Sequence, residues 1–313
     1  LKKYFSVGRS LFGTPQGFIK AVDDVNLSIF PGETMGLVGE SGCGKTTLGR
    51  TVLRLTEPDT GQILIDGEDI THLGEKDMRS VRRKAQLVFQ DPYSSLDPRF
   101  TVKQIIGEPL RVHKLAKGQA LEGHVLTLLQ KVGLNQEHLY RFPHEFSGGQ
   151  RQRISVARAL AVKPIFLVLD EPTSALDVSV QAQVLELLKE LQVELGMAYL
   201  FITHDLGVVR YFCDRVTVMY LGKITEVADN ESLFANALHP YSQALLDAIP
   251  RPVVGKREAA TAMTDEIPSA LDPPAGCRFH TRCPRCMDIC RHEEPRLIEI
   301  ESDHYVACHL YGK

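Results

Sequence analysis

Gly39-Glu40-Ser41-Gly42-Cys43-Gly44-Lys45-Thr46-Thr47 spaces its glycines, lysine and threonines as a phosphate-holding turn does. Glycines let successive backbone N–H groups converge on phosphate oxygens with no Cβ in the way. Lys45 has the reach for β- and γ-phosphates, and the Thr46 hydroxyl suits Mg2+. Phosphoryl chemistry also asks for carboxylates. Asp170 and Glu171 close the apolar run Ile165–Leu169; an aspartate there can hold Mg2+, directly or through water, and a neighbouring glutamate can polarise the attacking water. Ser147-Gly148-Gly149-Gln150 opens a helical pattern and forms a second anion cradle of backbone N–H groups and helix dipole. One ATP needs only one phosphate loop, so the second cradle is best explained by a nucleotide held on another subunit. A different chemistry gathers at the far end, where Cys277, Cys283, Cys286 and Cys290 crowd together and Cys308 follows.

These groups need elements to hold them. Thr34–Val38 reads as a strand and the stretch from Lys45 as a helix, the order a phosphate loop requires. Ile165–Leu169 is unbroken apolar, as in a parallel strand buried on both faces. Ligands collect at the carboxyl ends of such strands, so Asp170 and Glu171 are expected beside the phosphate loop. After Ser147, an amphipathic helix carries Ile154, Ala157, Leu160 and Ala161 on one face. The length of 313 residues suits one large domain plus an appendage, or two ordinary ones. A net charge of −3 without a basic block places nucleic-acid binding behind other readings. The longest apolar stretches, "IFLVLD" and "AYLFIT", fall far short of the roughly 20 residues that cross a bilayer. The start, "LKKYFSVGRS", has neither an initiator Met nor the apolar region of a signal peptide. With an odd number of cysteines, this points to a reducing compartment, where clustered thiols suggest metal before disulfide.

Residues from about 1 to 247 resemble the ATP-binding subunits of ABC transporters. Gly39–Thr46 resembles the Walker A loop and Ile165–Asp170 the Walker B strand, with Glu171 in the place of the catalytic carboxylate. Gln90 in "LVFQDP" looks like the Q-loop glutamine, Ser174–Asp177 the D-loop and His204 in "FITHD" the switch histidine. Ser147–Gln150 looks like the signature motif, with Phe146 in place of the usual leucine, a packing position. The resemblance implies an α/β P-loop NTPase cassette: a RecA-like core, an antiparallel β subdomain and a helical subdomain at about 91–164. It implies ATP and Mg2+, the metal held by Thr46, Gln90 and Asp170, and hydrolysis by Glu171, His204 and Gln90. Gly39, Ser41, Gly42, Cys43, Gly44, Lys45, Thr46 and Thr47 would hold the phosphates, and Phe5, next to Tyr4, would stack on adenine. Ser147, Gly148, Gly149 and Gln150 would complete the site of a second ATPase subunit, copy or paralogue, closing head-to-tail. Tyr93, Ser94, Ser95 and Leu96, before Pro98, are expected to receive a coupling helix from one of two permease subunits. Chromosome-maintenance and repair relatives separate the two motifs by a long coiled coil; here Lys45 and Ser147 are close in sequence, with no heptad array.

Residues 248–313 contain a Pro-punctuated linker, "EIPSALDPPAGC", which together with the preceding "LHPYSQALLDAIPRP" resembles the C-terminal region of oligopeptide/dipeptide (and nickel) importer ATPases. Cys277-x5-Cys283-x6-Cys290-x17-Cys308 matches the spacing by which some of them hold a [4Fe–4S] cluster. From the residues alone, so small a segment needs a metal to order it. Zinc stays open, since Cys283-Pro-Arg-Cys286 has knuckle spacing and His280, His292, His304 and His309 are further donors; Cys286 is surplus to the family pattern. The resemblance implies a peripheral ATPase on the cytoplasmic face of the membrane, energising a di- or oligopeptide importer served by an extracytoplasmic peptide-binding protein, with no nucleic acid. Import of nickel or an oligosaccharide, or a non-transport ABC ATPase, are the alternatives.

Overall fold

The computed structural model describes residues 1–9, 15–249 and 268–312. It divides into two compact units. One comprises Leu1–Ser28, Thr34–Ile63 and Ile202–Lys313; the other comprises Ile29–Glu33 and Leu64–Phe201.

In the first unit, strands Lys3–Arg9 and Pro15–Val22 form an antiparallel hairpin. Strand Thr34–Val38 is buried along its whole length, as its apolar run demands, and feeds through the phosphate loop into helix Lys45–Val52. Thr34–Val38 pairs in parallel with Arg215–Tyr220, which pairs antiparallel with Lys223–Asp229. The sheet then continues into the cysteine-bearing tail. His304–Val306 pairs antiparallel with Lys223–Asp229, Val306 opposite Glu226, and Ile298–Glu301 adds the last strand. Short helices Leu206–Phe212, Asn230–Ala235 and Pro240–Asp247 complete the unit. Asp205, Asp229 and His239 cap them, each accepting from a first-turn amide. Of the linker "EIPSALDPPAGC", Glu266 and Ile267 lie outside the described residues.

In the second unit, strand Ala85–Val88 pairs in parallel with Phe166–Asp170, and Ala198–Thr203, through which the chain re-enters the first unit, lies beside the latter. The strand runs one residue further toward the carboxylates than the apolar pattern suggests. Ile165 is 43% exposed and gives its amide to the Lys84 carbonyl ahead of the paired stretch, whereas Asp170 is 3% exposed and belongs to the strand. Helices Val102–Val112, Gly118–Lys131 and Gly148–Leu160 pack on one another, and their Ile105, Ile106, Leu129 and Ile154 are buried. Thr101 starts the first with a capping box to Gln104. Helix Val178–Leu195 starts at Asp177, whose carboxylate accepts from Val180 N at 3.0 Å, and stops at Gly196 in a left-handed conformation.

Candidate functional site

The candidate residues fall in both units. In the first, the phosphate loop is folded around its lysine. Lys45 is buried, and Nζ donates to the carbonyls of Gly39 (2.7 Å) and Glu40 (3.0 Å). Glycine is obligatory at two corners. At Gly39 (φ +153°) a Cβ would stand 2.1 Å from the Met219 carbonyl oxygen, and at Gly44 (φ +110°) 2.0 Å from that of Ala21. Ser41 and Gly42 are exposed, while the Cys43 thiol is buried and its pKa pushed up by desolvation, with the Lys45 charge pulling the other way. Thr46 and Thr47 are half-buried in the first turn of the helix. Phe5 is 40% exposed, with the Lys3 ammonium 5.4 Å from its ring centroid. Its neighbour Tyr4 turns away, its hydroxyl donating to Asp23. His204 is exposed at the end of Ala198–Thr203.

In the second unit, Asp170 is buried at its strand end and Glu171 follows with φ +45°, an uncommon and strained value for glutamate. Gln90 is brought to it: Nε2 donates to Glu171 Oε2 at 2.9 Å. The 171 carbonyl accepts from the Ser174 amide and hydroxyl at 3.3 and 3.1 Å, fixing the following turn. Ser147 opens helix Gly148–Leu160 with a capping box: its hydroxyl accepts from Gln150 N (3.3 Å) and its amide donates to Gln150 Oε1 (3.1 Å). Ser147 and Gly148 are exposed. Gly149 is buried against helix Val178–Leu195, where a Cβ would stand 2.2 Å from Val180 Cγ1. Phe146 is buried, 5.4 Å from the His138 ring, so its departure from leucine is absorbed in packing. In the expected coupling turn, Tyr93 is 60% exposed with the Arg151 guanidinium over its ring. Leu96, by contrast, is 1% exposed and is part of the core rather than of a docking surface. The Ser95 carbonyl accepts from Arg158 Nη1 at 2.6 Å. The side chain of Ser94 lies outside the described residues.

The tail brings four thiols into electrostatic reach of one another. Cys277 interacts with Cys283, Cys290 and Cys308, and Cys290 with both Cys283 and Cys308. Cys286 lies near Cys283 and turns its thiol to the Met287 carbonyl. Burial pushes the Cys277 thiol up to about 12, and those of Cys283 and Cys308 upward too, so ionising these three calls for added positive charge. Three of the histidine alternatives are committed elsewhere: His280 Nδ1 to the Cys277 carbonyl (2.9 Å), His304 Nε2 to Glu226 Oε1 (2.8 Å) and His309 Nε2 to the Glu293 carbonyl (2.9 Å). By chemistry the four sulfurs suit a soft metal. Among the described residues, however, no three His, Cys, Asp or Glu side chains stand in a metal-holding group. The metal-bound extension expected from the sequence therefore finds no support among the described residues.

Several functional-looking residues escape sequence reading. Arg282, within the cysteine segment, makes a bidentate ion pair with Glu40 of the phosphate loop (Nη1–Oε2 2.7 Å, Nη2–Oε1 3.0 Å). The Tyr241 hydroxyl accepts from Glu40 N at 2.8 Å. Arg278 pairs with Asp23 and donates to the Leu221 carbonyl. Glu226, fully buried in the middle of the sheet, takes the amides of Leu238 and His239 as well as His304. The one signal that could have found this network is the carboxylate of Glu40, a misfit charge in a phosphate loop.

The family model described as "ABC transporter" matches residues 22–174, and that described as "Oligopeptide/dipeptide transporter, C-terminal region" matches residues 225–290. Over 317 residues the chain is 51% identical to the oligopeptide transport ATP-binding protein AppF of Bacillus subtilis (strain 168), covering 100% of this chain and 96% of that protein. It is 50% identical over 298 residues to a putative peptide import ATP-binding protein of Brucella ovis, covering 95% and 94%. Among solved structures it is similar to the dimeric post-hydrolysis state of an ATP-binding cassette bound to ADP and Pi, with TM-score 0.65, 30% identity and coverage of 73% of this chain and 96% of that one. It is also similar to cbiO1 from Clostridium perfringens, part of the ABC transporter complex cbiONQ, with TM-score 0.63, 29% identity and coverage of 75% and 90%.

Proposed function

The chain belongs to the ABC transporter family, in its oligopeptide/dipeptide branch, with the P-loop ATPase cassette fold, and on that premise we propose how its residues share the work. It is the ATP-binding and ATP-hydrolysing subunit of a peptide importer. The observation that carries the site assignment is the phosphate loop: Lys45 is held on the carbonyls of Gly39 and Glu40, at the start of a helix and after a buried strand. Lys45 leaves those carbonyls for the β- and γ-phosphates, and the N–H groups of Gly42 to Thr47 take the remaining oxygens. Thr46, Asp170 and Gln90 would hold Mg2+, which would supply the charge that neutralises the phosphates. Glu171 orients and deprotonates the attacking water. Its hydrogen bond from Gln90 sets the carboxylate's direction, and His204 contacts the γ-phosphate. Phe5, exposed beside Lys3, stacks on adenine.

A second ATPase subunit, copy or paralogue, closes head-to-tail. Its nucleotide is met by Ser147–Gln150, an anion cradle at a helix N-terminus whose Ser147 and Gly148 stand exposed, and loss of the γ-phosphate reopens the pair. Two permease subunits receive the motion at Tyr93–Ser95, and an extracytoplasmic binding protein delivers the peptide. No helix among the described residues is long and apolar enough to cross a membrane; we place the chain peripherally, on the cytoplasmic face, through its permease contacts. The cassette spans 1–247 and the tail 248–313. Cys277, Cys283, Cys290 and Cys308 would hold a [4Fe–4S] cluster, which would cross-link the tail without entering ATP chemistry. Visible absorption of anaerobically purified chain with iron analysis tests this; stoichiometric zinc and no visible band would refute it.

Glu171→Gln tests the catalytic assignment. In the assembled transporter it should leave ATP binding intact and lower turnover by at least ~100-fold, the usual span of general-base loss. Undiminished hydrolysis would sink the role of Glu171.

A further inference from the structure

Glu40 places a carboxylate in a loop built to hold phosphate. Glu40 follows the first glycine of that loop, and its backbone carbonyl is one of the two that hold the Lys45 ammonium. Left alone, the side chain would oppose an incoming polyphosphate through like charge, an interaction that falls only slowly with distance where water is partly excluded. The fold does not leave it alone. Arg282 Nη1 and Nη2 meet Oε2 and Oε1 in parallel, at 2.7 and 3.0 Å, in the planar fork geometry peculiar to arginine. The Arg282 side chain is 4% exposed and that of Glu40 20%, so solvent does little to screen the pair. The Tyr220 hydroxyl also accepts from Arg282, at 3.4 Å. The Glu40 amide is held by the Tyr241 hydroxyl, and Cys43, three residues on, gives its carbonyl to the Gly222 amide at 2.8 Å. Phe279, 1% exposed, packs its ring 5.3 Å from those of both Tyr220 and Tyr241. One residue of the phosphate loop is therefore fixed at its carboxylate by the cysteine-rich tail and at its amide by the helix that precedes the tail.

We propose that Arg282 is a positioning residue for ATP binding: from the tail it neutralises Glu40 and holds the phosphate loop in the conformation that accepts nucleotide. This rests on the assignment of Gly39–Thr46 as the ATP site. Arg282 touches no substrate; it acts through Glu40 on the loop that presents Lys45. The tail is thereby part of the nucleotide site, and its effect should fall on affinity rather than on the chemical step.

The test measures binding of a fluorescent ATP analogue, and KM and kcat for ATP, on the full chain. Arg282→Gln leaves the Glu40 carboxylate unpaired and should raise Kd and KM by about tenfold, the effect of 1.4 kcal/mol, with kcat within about twofold by the same conversion. Arg282→Lys, keeping the charge without the fork, should fall between. The double variant Glu40→Gln/Arg282→Gln removes both charges and should return Kd to within about threefold of the parent, or about 0.7 kcal/mol by the same constant. A merely structural arginine would not give this recovery, because the double variant lacks the bridge just as the single does. An unchanged Kd in Arg282→Gln, or a double variant as weak as the single, overturns the proposal. If Arg282→Gln does not fold, Glu40→Gln alone decides: affinity equal to or tighter than the parent supports it, and tenfold weaker binding refutes it. A parent chain that binds no analogue would instead overturn the ATP site itself.

Discussion

Replacing Gly149 by alanine probes how the signature turn is built. A Cβ at this position would stand 2.2 Å from Val180 Cγ1, whereas carbon–carbon contacts settle at about 3.5–4.0 Å. Helix Gly148–Leu160 or helix Val178–Leu195 must therefore move by more than ~1 Å, or Val180 must leave its rotamer. Overpacking of this kind costs about 1–3 kcal/mol. Near the helix N-terminus, removing a glycine returns at most about 1 kcal/mol of propensity. The net expectation for Gly149→Ala is a loss of about 1–2 kcal/mol, read as a lower urea midpoint with unchanged slope. Val180→Ala removes the colliding methyl, so the double variant should be more stable than the two single changes predict, by about 1–2 kcal/mol of coupling. ATPase activity of the assembled transporter should follow the same order, low in Gly149→Ala and partly recovered in the double variant, because the cradle at Ser147 is carried on the displaced helix. A Gly149→Ala chain as stable as the parent, or strict additivity in the cycle, would refute the claim that contact with Val180 selects glycine here.

Two other predictions concern buried groups. His239 caps helix Pro240–Asp247 by accepting Tyr241 N on Nδ1 at 3.0 Å, and burial holds its pKa down at about 4 against an ordinary 6.5. The unfolded chain takes this proton first as pH falls, so stability is intact above about pH 6.5 and is lost progressively down to about 4, by about 3 kcal/mol in all. Urea unfolding at pH 7.5 and 5 should show a steeper acid loss in the parent than in His239→Asn; equal losses would remove His239 as the cause. Arg158 is half-buried and donates to the Ser95 carbonyl at 2.6 Å. Arg158→Met removes that charge-assisted hydrogen bond, worth about 1.5–3 kcal/mol. Hydrogen exchange at the amides of 93–96 should accelerate while ATP binding persists, and peptide-stimulated hydrolysis by the assembled transporter should fall; unchanged exchange would show that Arg158 does not hold the turn.

What was legible in the sequence was short-range chemistry. A strand, a glycine turn and a helix follow one another within some twenty residues, so the phosphate loop around Lys45 could be read from spacing alone, as could the capping serine at 147. Where only apolarity was available, the reading slipped. Ile165 is apolar yet half outside, and Asp170 is polar yet in the strand, because backbone pairing with Ala85–Val88 decides the register, not hydropathy. Leu96 sits in a turn that looks exposed but is core. The tail was harder still. Its cysteine spacing announces that thiols gather, but not that His304–Val306 extends the sheet bearing the phosphate loop. Nor does it show that Glu226, in a strand whose neighbours alternate unremarkably, is a buried acceptor for a histidine 78 residues away.

The tail's dependence on long-range pairing has a physical reason. A segment of this size cannot build its own core, so its order must come from cross-links among its thiols, from the cassette, or from both. The charges taken up by Arg278 and Arg282 come from the cassette: Asp23 at the end of the hairpin and Glu40 in the phosphate loop. Each arginine directly neighbours a cysteine of the expected four, Cys277 and Cys283. Whatever orders those cysteines also sets where the guanidinium groups reach, Arg278 to the hairpin's Asp23 and Arg282 to the carboxylate in the phosphate loop. A local rule broken at residue 40 is compensated 242 residues later, and only the folded chain brings the two halves of that exchange together.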